Sequence, residues 1–248
     1  MCALPRFREL VLTKNAQEKN RPYLLFLQAS PGFPAPRVAR PDGFCGCALK
    51  EFRVVMLDQR GTGRSNPVSH QSLVKMDSPE AQAKFLGNFR ADSIIEDCEA
   101  IRRTLVGEDT QWTVLGQSFG GFCLLTYLSK HPEAVKAGLF MGGLAPVART
   151  PDEASSSVYR ATYRRIAERN RRFYKRYPGD VQKVKEILTH LRGRDKPVEL
   201  PAGGMLTPWR FLQLGLTLGY GGGFEGLHYL LEDAFCDGEL KYSFLREV

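Results

Sequence analysis

Residues 112–122, Trp-Thr-Val-Leu-Gly-Gln-Ser-Phe-Gly-Gly-Phe, constrain the fold more than any other stretch of the chain. An apolar, partly β-branched run reads as a buried strand, breaks at Gly116-x-Ser118-x-Gly120, and continues as an amphipathic helix over residues 122–130, stopped by His131-Pro132. Small residues two before and two after a serine are required where a strand turns into a helix so tightly that neighbouring side chains would collide. Such a turn holds the serine in strained geometry and lifts its hydroxyl clear of the sheet. The helix start then offers free amides and the positive end of its dipole to an oxyanion. Ser118 is therefore the candidate nucleophile, and the Phe119 amide a candidate oxyanion donor. A plain strand-to-loop reading uses the same residues, but the order strand, turn, helix favours the elbow.

Around this turn the chain alternates. Residues 7–12 are a short strand candidate. Residues 22–27 and 52–58 are continuous apolar runs of the kind buried on both faces of a sheet, and 135–141 is a further short apolar strand candidate. Residues 89–105 repeat at helical spacing through Ile94, Ile95, Cys98, Ile101 and Leu105. Strands separated by helices predict an α/β fold with a parallel sheet covered on both faces. Working residues then collect beyond the carboxyl ends of the strands, at Ala29-Ser30, at residues 58–65 and at Ser118. After Pro146 the pattern turns helical, over 158–177, 181–191, 208–218 and 224–235, with one possible strand near Val198-Glu199-Leu200. The expected organisation is a sheet domain over 1–146 and a helical module over 147–248.

A chain of 248 residues with 43% hydrophobic content can bury a sizeable core. No stretch approaches transmembrane length, and residues 1–22 carry Arg6, Arg8, Glu9 and Lys14 without an apolar block, so no signal peptide is visible and a cytoplasmic location without a membrane partner is expected. The six cysteines lack metal-ligand spacing and read as free thiols in a reducing compartment, with no metal or cofactor implied. The net charge of +8 is concentrated in residues 160–196. Tyr159, Tyr163, Ile166 and Phe173 fall on one helical face there, which predicts a buried stripe with the arginines left to solvent. A solvated helix face is preferred to a nucleic-acid surface.

Four stretches together carry a resemblance: residues 27–33 (Leu-Gln-Ala-Ser-Pro-Gly-Phe), 57–65 (Leu-Asp-Gln-Arg-Gly-Thr-Gly-Arg-Ser), 116–121 (Gly-Gln-Ser-Phe-Gly-Gly) and 223–229 (Gly-Phe-Glu-Gly-Leu-His-Tyr). With them the chain resembles the proline iminopeptidases of the α/β-hydrolase fold, particularly their longer branch. The resemblance implies metal-free hydrolysis of an N-terminal residue, preferentially proline, from peptides with a free N-terminus. It makes Ser118 the nucleophile, with a histidine as its base and an aspartate orienting the histidine, in the chain order serine, aspartate, histidine. It gives the oxyanion to the amides of Phe119 and of the Ala29-Ser30 loop, here Ser30. Residues 147–248 become a cap, whose Glu225 and, second, Glu232 receive the substrate ammonium. The alternative for Glu225 is a helix N-terminal acid that stabilises the dipole.

The chain departs from that pattern in two places. Ala29-Ser30 stand where the family carries two glycines, which tilts the expected donor. After Ser118 the helical module leaves no segment for two further strands bearing the aspartate and histidine, so the sheet is expected to lack its C-terminal strands and the chain to be truncated at both ends. His70, His131, His190 and His228 read as structural or surface residues, and Asp58 as a brace for the site. The competing functions are another esterase or amidase on the same fold, and a hydrolase-like binding protein without turnover.

Overall fold

The computed structural model describes residues 6–10, 20–28 and 31–248. Two compact units succeed one another along the chain, Met1–Pro146 and Val147–Val248.

The first unit runs β1 (Arg6–Leu10), β2 (Tyr23–Leu27), α1 (Gly43–Ala48), β3 (Arg53–Asp58), α2 (His70–Leu73), α3 (Pro79–Leu86), α4 (Ala91–Leu105), β4 (Trp112–Gln117), α5 (Phe119–Lys130) and β5 (Val135–Met141). Its sheet has the order β1-β3-β2-β4-β5. Strands β2 to β5 are parallel, and β1 joins β3 antiparallel at one edge. The apolar run of β2 does not alternate with polar residues because both of its faces are covered. Leu25 and Leu27 enter a core with Ile95 and Cys98 of α4 and Leu124 and Tyr127 of α5. Leu24 and Phe26 enter a second core on the opposite face, against Phe44 and Ala48 of α1. The β2–β4 register pairs Leu27 with Gly116, so the loop leaving β2 starts beside the serine turn.

Helix α4 starts at Ala91 rather than Phe89, because the Phe89 ring packs over Gly61, where a Cβ would come 2.5 Å from it. A buried polar network ties α4 to α5 and the sheet. Arg102 donates to both carboxylate oxygens of Glu99 at 2.9 and 3.0 Å, and the Tyr127 hydroxyl donates to the same carboxylate. Trp112 Nε1 donates to the Tyr127 hydroxyl at 3.1 Å. The remaining Arg102 nitrogen donates to the carbonyls of Gly107, Glu108 and Thr110, so the guanidinium also closes the loop before β4.

The second unit comprises α6 (Pro151–Arg176), α7 (Asp180–Arg192), the hairpin β6 (Val198–Glu199) and β7 (Met205–Leu206), α8 (Pro208–Leu212), a 3-10 stretch over Gln213–Gly219, α9 (Gly223–Glu232), the hairpin β8 (Phe235–Cys236) and β9 (Glu239–Leu240), and α10 (Tyr242–Glu247). Its own core contains Phe173, Ile187, Phe211, Leu231 and Phe244. Helix α6 begins earlier than its apolar spacing suggests because Thr150 and Glu153 form a capping box around Pro151. Helix α9 stops short of Phe235, which opens a hairpin whose turn residues Asp237 and Gly238 have φ of 50° and 81°.

The stripe expected to be buried along α6 is covered only at Phe173. Phe173 is 1% exposed, but Tyr159, Tyr163 and Ile166 are 63%, 67% and 47% exposed. The spacing places these side chains on one face, yet it says nothing of what lies opposite. Phe173 meets Phe224 of α9, whereas Tyr159 and Tyr163 pack against each other.

Candidate active site

Ser118 closes β4 with φ 50° and ψ −115°, a conformation that costs about 1–3 kcal/mol for a residue with a side chain. The glycines on either side permit it. A Cβ on Gly116 would lie 2.6 Å from the Gly120 carbonyl carbon, and one on Gly120 would lie 2.7 Å from that of Leu27. Ser118 occupies the N-cap position of α5, yet its side chain makes no capping hydrogen bond, so the exposed hydroxyl is not spent on the helix. Phe119 is the first helical residue and its N–H has no intrahelical acceptor. Hydroxyl and free amide thus sit on adjacent residues of one strained turn.

What holds the turn comes from β5. The Ser118 N–H donates to Met141 O at 2.8 Å, and Gly121 N–H donates to Ser118 O at 2.8 Å. The chain leaving β5 then lies against the turn, since a Cβ on Gly143 would run into Ser118 O and come 3.0 Å from Gly121 Cα. Gly143 therefore fixes the Ser118–Phe119 peptide plane, and with it the direction of the Phe119 N–H. Sequence reading did not single out Gly143, because the glycine pair 142–143 looks like any strand-ending turn until the register of β4 and β5 is known.

Asp58 organises the neighbouring loops. Its buried carboxylate accepts from Ala35 N at 3.1 Å, Arg37 at 2.7 Å and Arg64 N at 3.0 Å, and its carbonyl accepts from Ser65 Oγ at 2.8 Å. Arg60 reaches across to Asp97 of α4 with two hydrogen bonds of 2.7 Å. The stretch 57–65 is thus a brace between the loop after β2, the loop after β3 and α4. Ser30, the expected second oxyanion donor, lies with Ala29 outside the described residues.

Among the described residues no imidazole or carboxylate hydrogen-bonds the Ser118 hydroxyl. His131 faces Glu96 at 3.4 Å and Glu133 at 3.6 Å. His190 faces Glu239 at 3.7 Å, and His70 is an exposed residue at the start of α2. His228 of α9 stacks on Tyr177 at 3.9 Å and meets Asp180 Oδ2 through Nδ1 at 2.8 Å. Asp180 is 1% exposed and also pairs with Lys183, so this contact clamps the start of α7 to α9 within the second unit. Glu225 and Glu232 lie seven residues apart on α9, hence on one face. Glu225 already pairs with Arg176 at 2.6 Å, while Glu232 is exposed. Burial pushes the Cys123 thiol up to about 12 and the Cys98 thiol well above its ordinary value, so neither is a nucleophile. No group of three or more His, Cys, Asp or Glu is placed to hold a metal among the described residues.

The sequence profile of the alpha/beta hydrolase fold matches residues 31–233, which contain the elbow and most of the helical unit. The chain belongs to the α/β-hydrolase fold family. Within it, the sequence is 47% identical to a proline iminopeptidase of Aeromonas sobria over 98% of this chain and 55% of that protein. It is 35% identical to one of Aspergillus aculeatus over 85% of this chain and 46% of that protein. A third, from Neisseria gonorrhoeae, is 34% identical over 49% of this chain and 32% of its own length. The chain spans about half the length of the first two curated relatives. Its parallel strands and the strained turn after β4 accord with that fold, with β5 beside β4 at the sheet edge among the described residues.

Proposed function

We propose that this chain is the nucleophile-bearing part of a serine aminopeptidase of the proline iminopeptidase type, acting on peptides with a free N-terminus, preferentially N-terminal proline, in the cytoplasm. The observation that carries the reading is Ser118 in its strained turn, with an unspent hydroxyl beside an unpaired Phe119 amide. Ser118 attacks the carbonyl of the N-terminal residue, and the negative oxygen is received by the Phe119 N–H and a second amide from the loop at Ser30. A protonated amine entering a closed pocket needs a carboxylate to offset its desolvation, which is the role given to Glu225, with Glu232 as second partner, and to residues 147–248 as the cap. Because Glu225 pairs with Arg176, the substrate amine must displace that guanidinium. The base and its orienting acid are not assigned to residues of this chain.

The test is a hybrid in which residues 1–248 replace the matching part of the Aeromonas sobria relative, a fusion assayed on prolyl p-nitroanilide. Turnover is expected in the fusion, and Ser118→Ala should abolish it, by many powers of ten, without unfolding the protein. Comparable turnover in the alanine variant would remove Ser118 from the mechanism. Turnover of simple esters but not of prolyl amides would select the esterase reading instead.

A further inference from the structure

The second unit contains a groove of about 630 Å³ between α6, the Gln213–Gly219 stretch and α9. That volume lies within the roughly 300–1,000 Å³ typical of small-molecule sites. Its floor is apolar and buried, from Phe173, Phe211, Leu218, Leu227 and Leu231. Its mouth is apolar too, but open, with Ile166, Leu212 and Leu216 exposed at 47%, 47% and 72%. No aspartate or glutamate lines it, whereas Arg165 and Arg169 do. Arg169 is held in place, its Nε donating to Leu218 O at 2.7 Å and its guanidinium lying 4.4 Å over the Phe224 ring. Arg165 is exposed and has no carboxylate partner among the described residues.

We infer that this groove binds a single-chain amphiphile with an anionic head, of the medium-chain carboxylate class. Apolar walls alone would accept any hydrocarbon. Two guanidiniums at the wall, with no acid to neutralise them, favour a carboxylate head and disfavour a cationic one. The hydrocarbon tail covers the floor leucines and phenylalanines and the half-open stripe begun by Ile166. This inference is independent of the proposed peptidase activity, and the ligand need not be a substrate.

Equilibrium dialysis of radiolabelled decanoate against the 248-residue chain tests it. One saturable site per chain is expected, with octanoate about fifteenfold weaker because each of the two lost methylenes contributes roughly a fourfold gain. Arg165→Glu, at an exposed position that leaves folding intact, should weaken decanoate by about tenfold or more, the scale of a charge-assisted hydrogen bond. Leu216→Asp should weaken it comparably. Arg192→Glu, the same charge change on α7 outside the groove, should leave binding within about twofold, as an exposed isolated charge does. Equal binding of decyltrimethylammonium, unsaturable uptake, or equal losses in Arg165→Glu and Arg192→Glu would each overturn the inference. So would a dimer that buries the groove and excludes decanoate.

Discussion

At the scale of single residues, the elbow depends on contacts that cross the sheet. The Ser118–Phe119 peptide presents its carbonyl to Gly121 N–H and Gly143 Cα, so the opposite side of the same plane presents the Phe119 N–H. Gly143→Ala would push the Ser118 carbonyl and rotate that plane. One oxyanion donor is worth about 2.7–4 kcal/mol, so kcat on prolyl p-nitroanilide in the fusion protein should fall about a hundredfold or more, with KM little changed. A parallel loss in KM, or no loss at all, would show that Gly143 does not set the donor. The Glu225 assignment predicts a different split. Glu225→Gln should sharply lower the rate on prolyl amides yet matter little for an ester without an amine, whereas equal losses would make Glu225 only a partner for Arg176. The strained serine turn could be read from Gly-x-Ser-x-Gly because its determinants are contiguous. Gly143 could not, because it reaches the turn only through the β4–β5 register, 25 residues along the chain.

At the scale of elements, the buried strands and α4 were legible because both sheet faces are covered and because Ile94, Ile95, Cys98 and Ile101 repeat at helical spacing. The polar network between α4 and α5 was not, since nothing in the order of Glu99, Arg102, Trp112 and Tyr127 marks them as partners. Burial would raise the Glu99 carboxyl, but hydrogen bonds from Arg102 and Tyr127 outweigh it and hold it below its ordinary value. A carboxyl lowered in the folded state stabilises above its unfolded pKa of about 4.3, and the contribution is lost as pH falls through the folded value. Thermal unfolding of Glu99→Gln should therefore show a flatter fall in stability than wild type below about pH 4.3. Glu99→Ala, which strands a buried guanidinium, should cost about 3–5 kcal/mol in chemical denaturation at neutral pH. A loss below about 1 kcal/mol would mean that the carbonyls of Gly107, Glu108 and Thr110 suffice for Arg102.

At the scale of the whole molecule, the sheet of the first unit has β5 at its edge among the described residues. Strand β5 pairs with β4 alone among the described residues, and Leu139 and Met141 are 46% and 40% exposed. An exposed edge with apolar side chains is a template for pairing with another chain. Ser118, for its part, has no described imidazole at its hydroxyl, and a serine without an adjacent base is a weak nucleophile. Expressed by itself, the 248-residue chain should thus self-associate and fail to hydrolyse prolyl p-nitroanilide. Lysines at Leu139 and Met141 place charge on the edge and should shift sedimentation toward monomer without restoring turnover, which separates the two causes. A monodisperse wild-type monomer would refute the edge argument. Turnover that Ser118→Ala abolishes would refute the other half, and would mean that His131, His190 or His228 reaches Ser118 in solution.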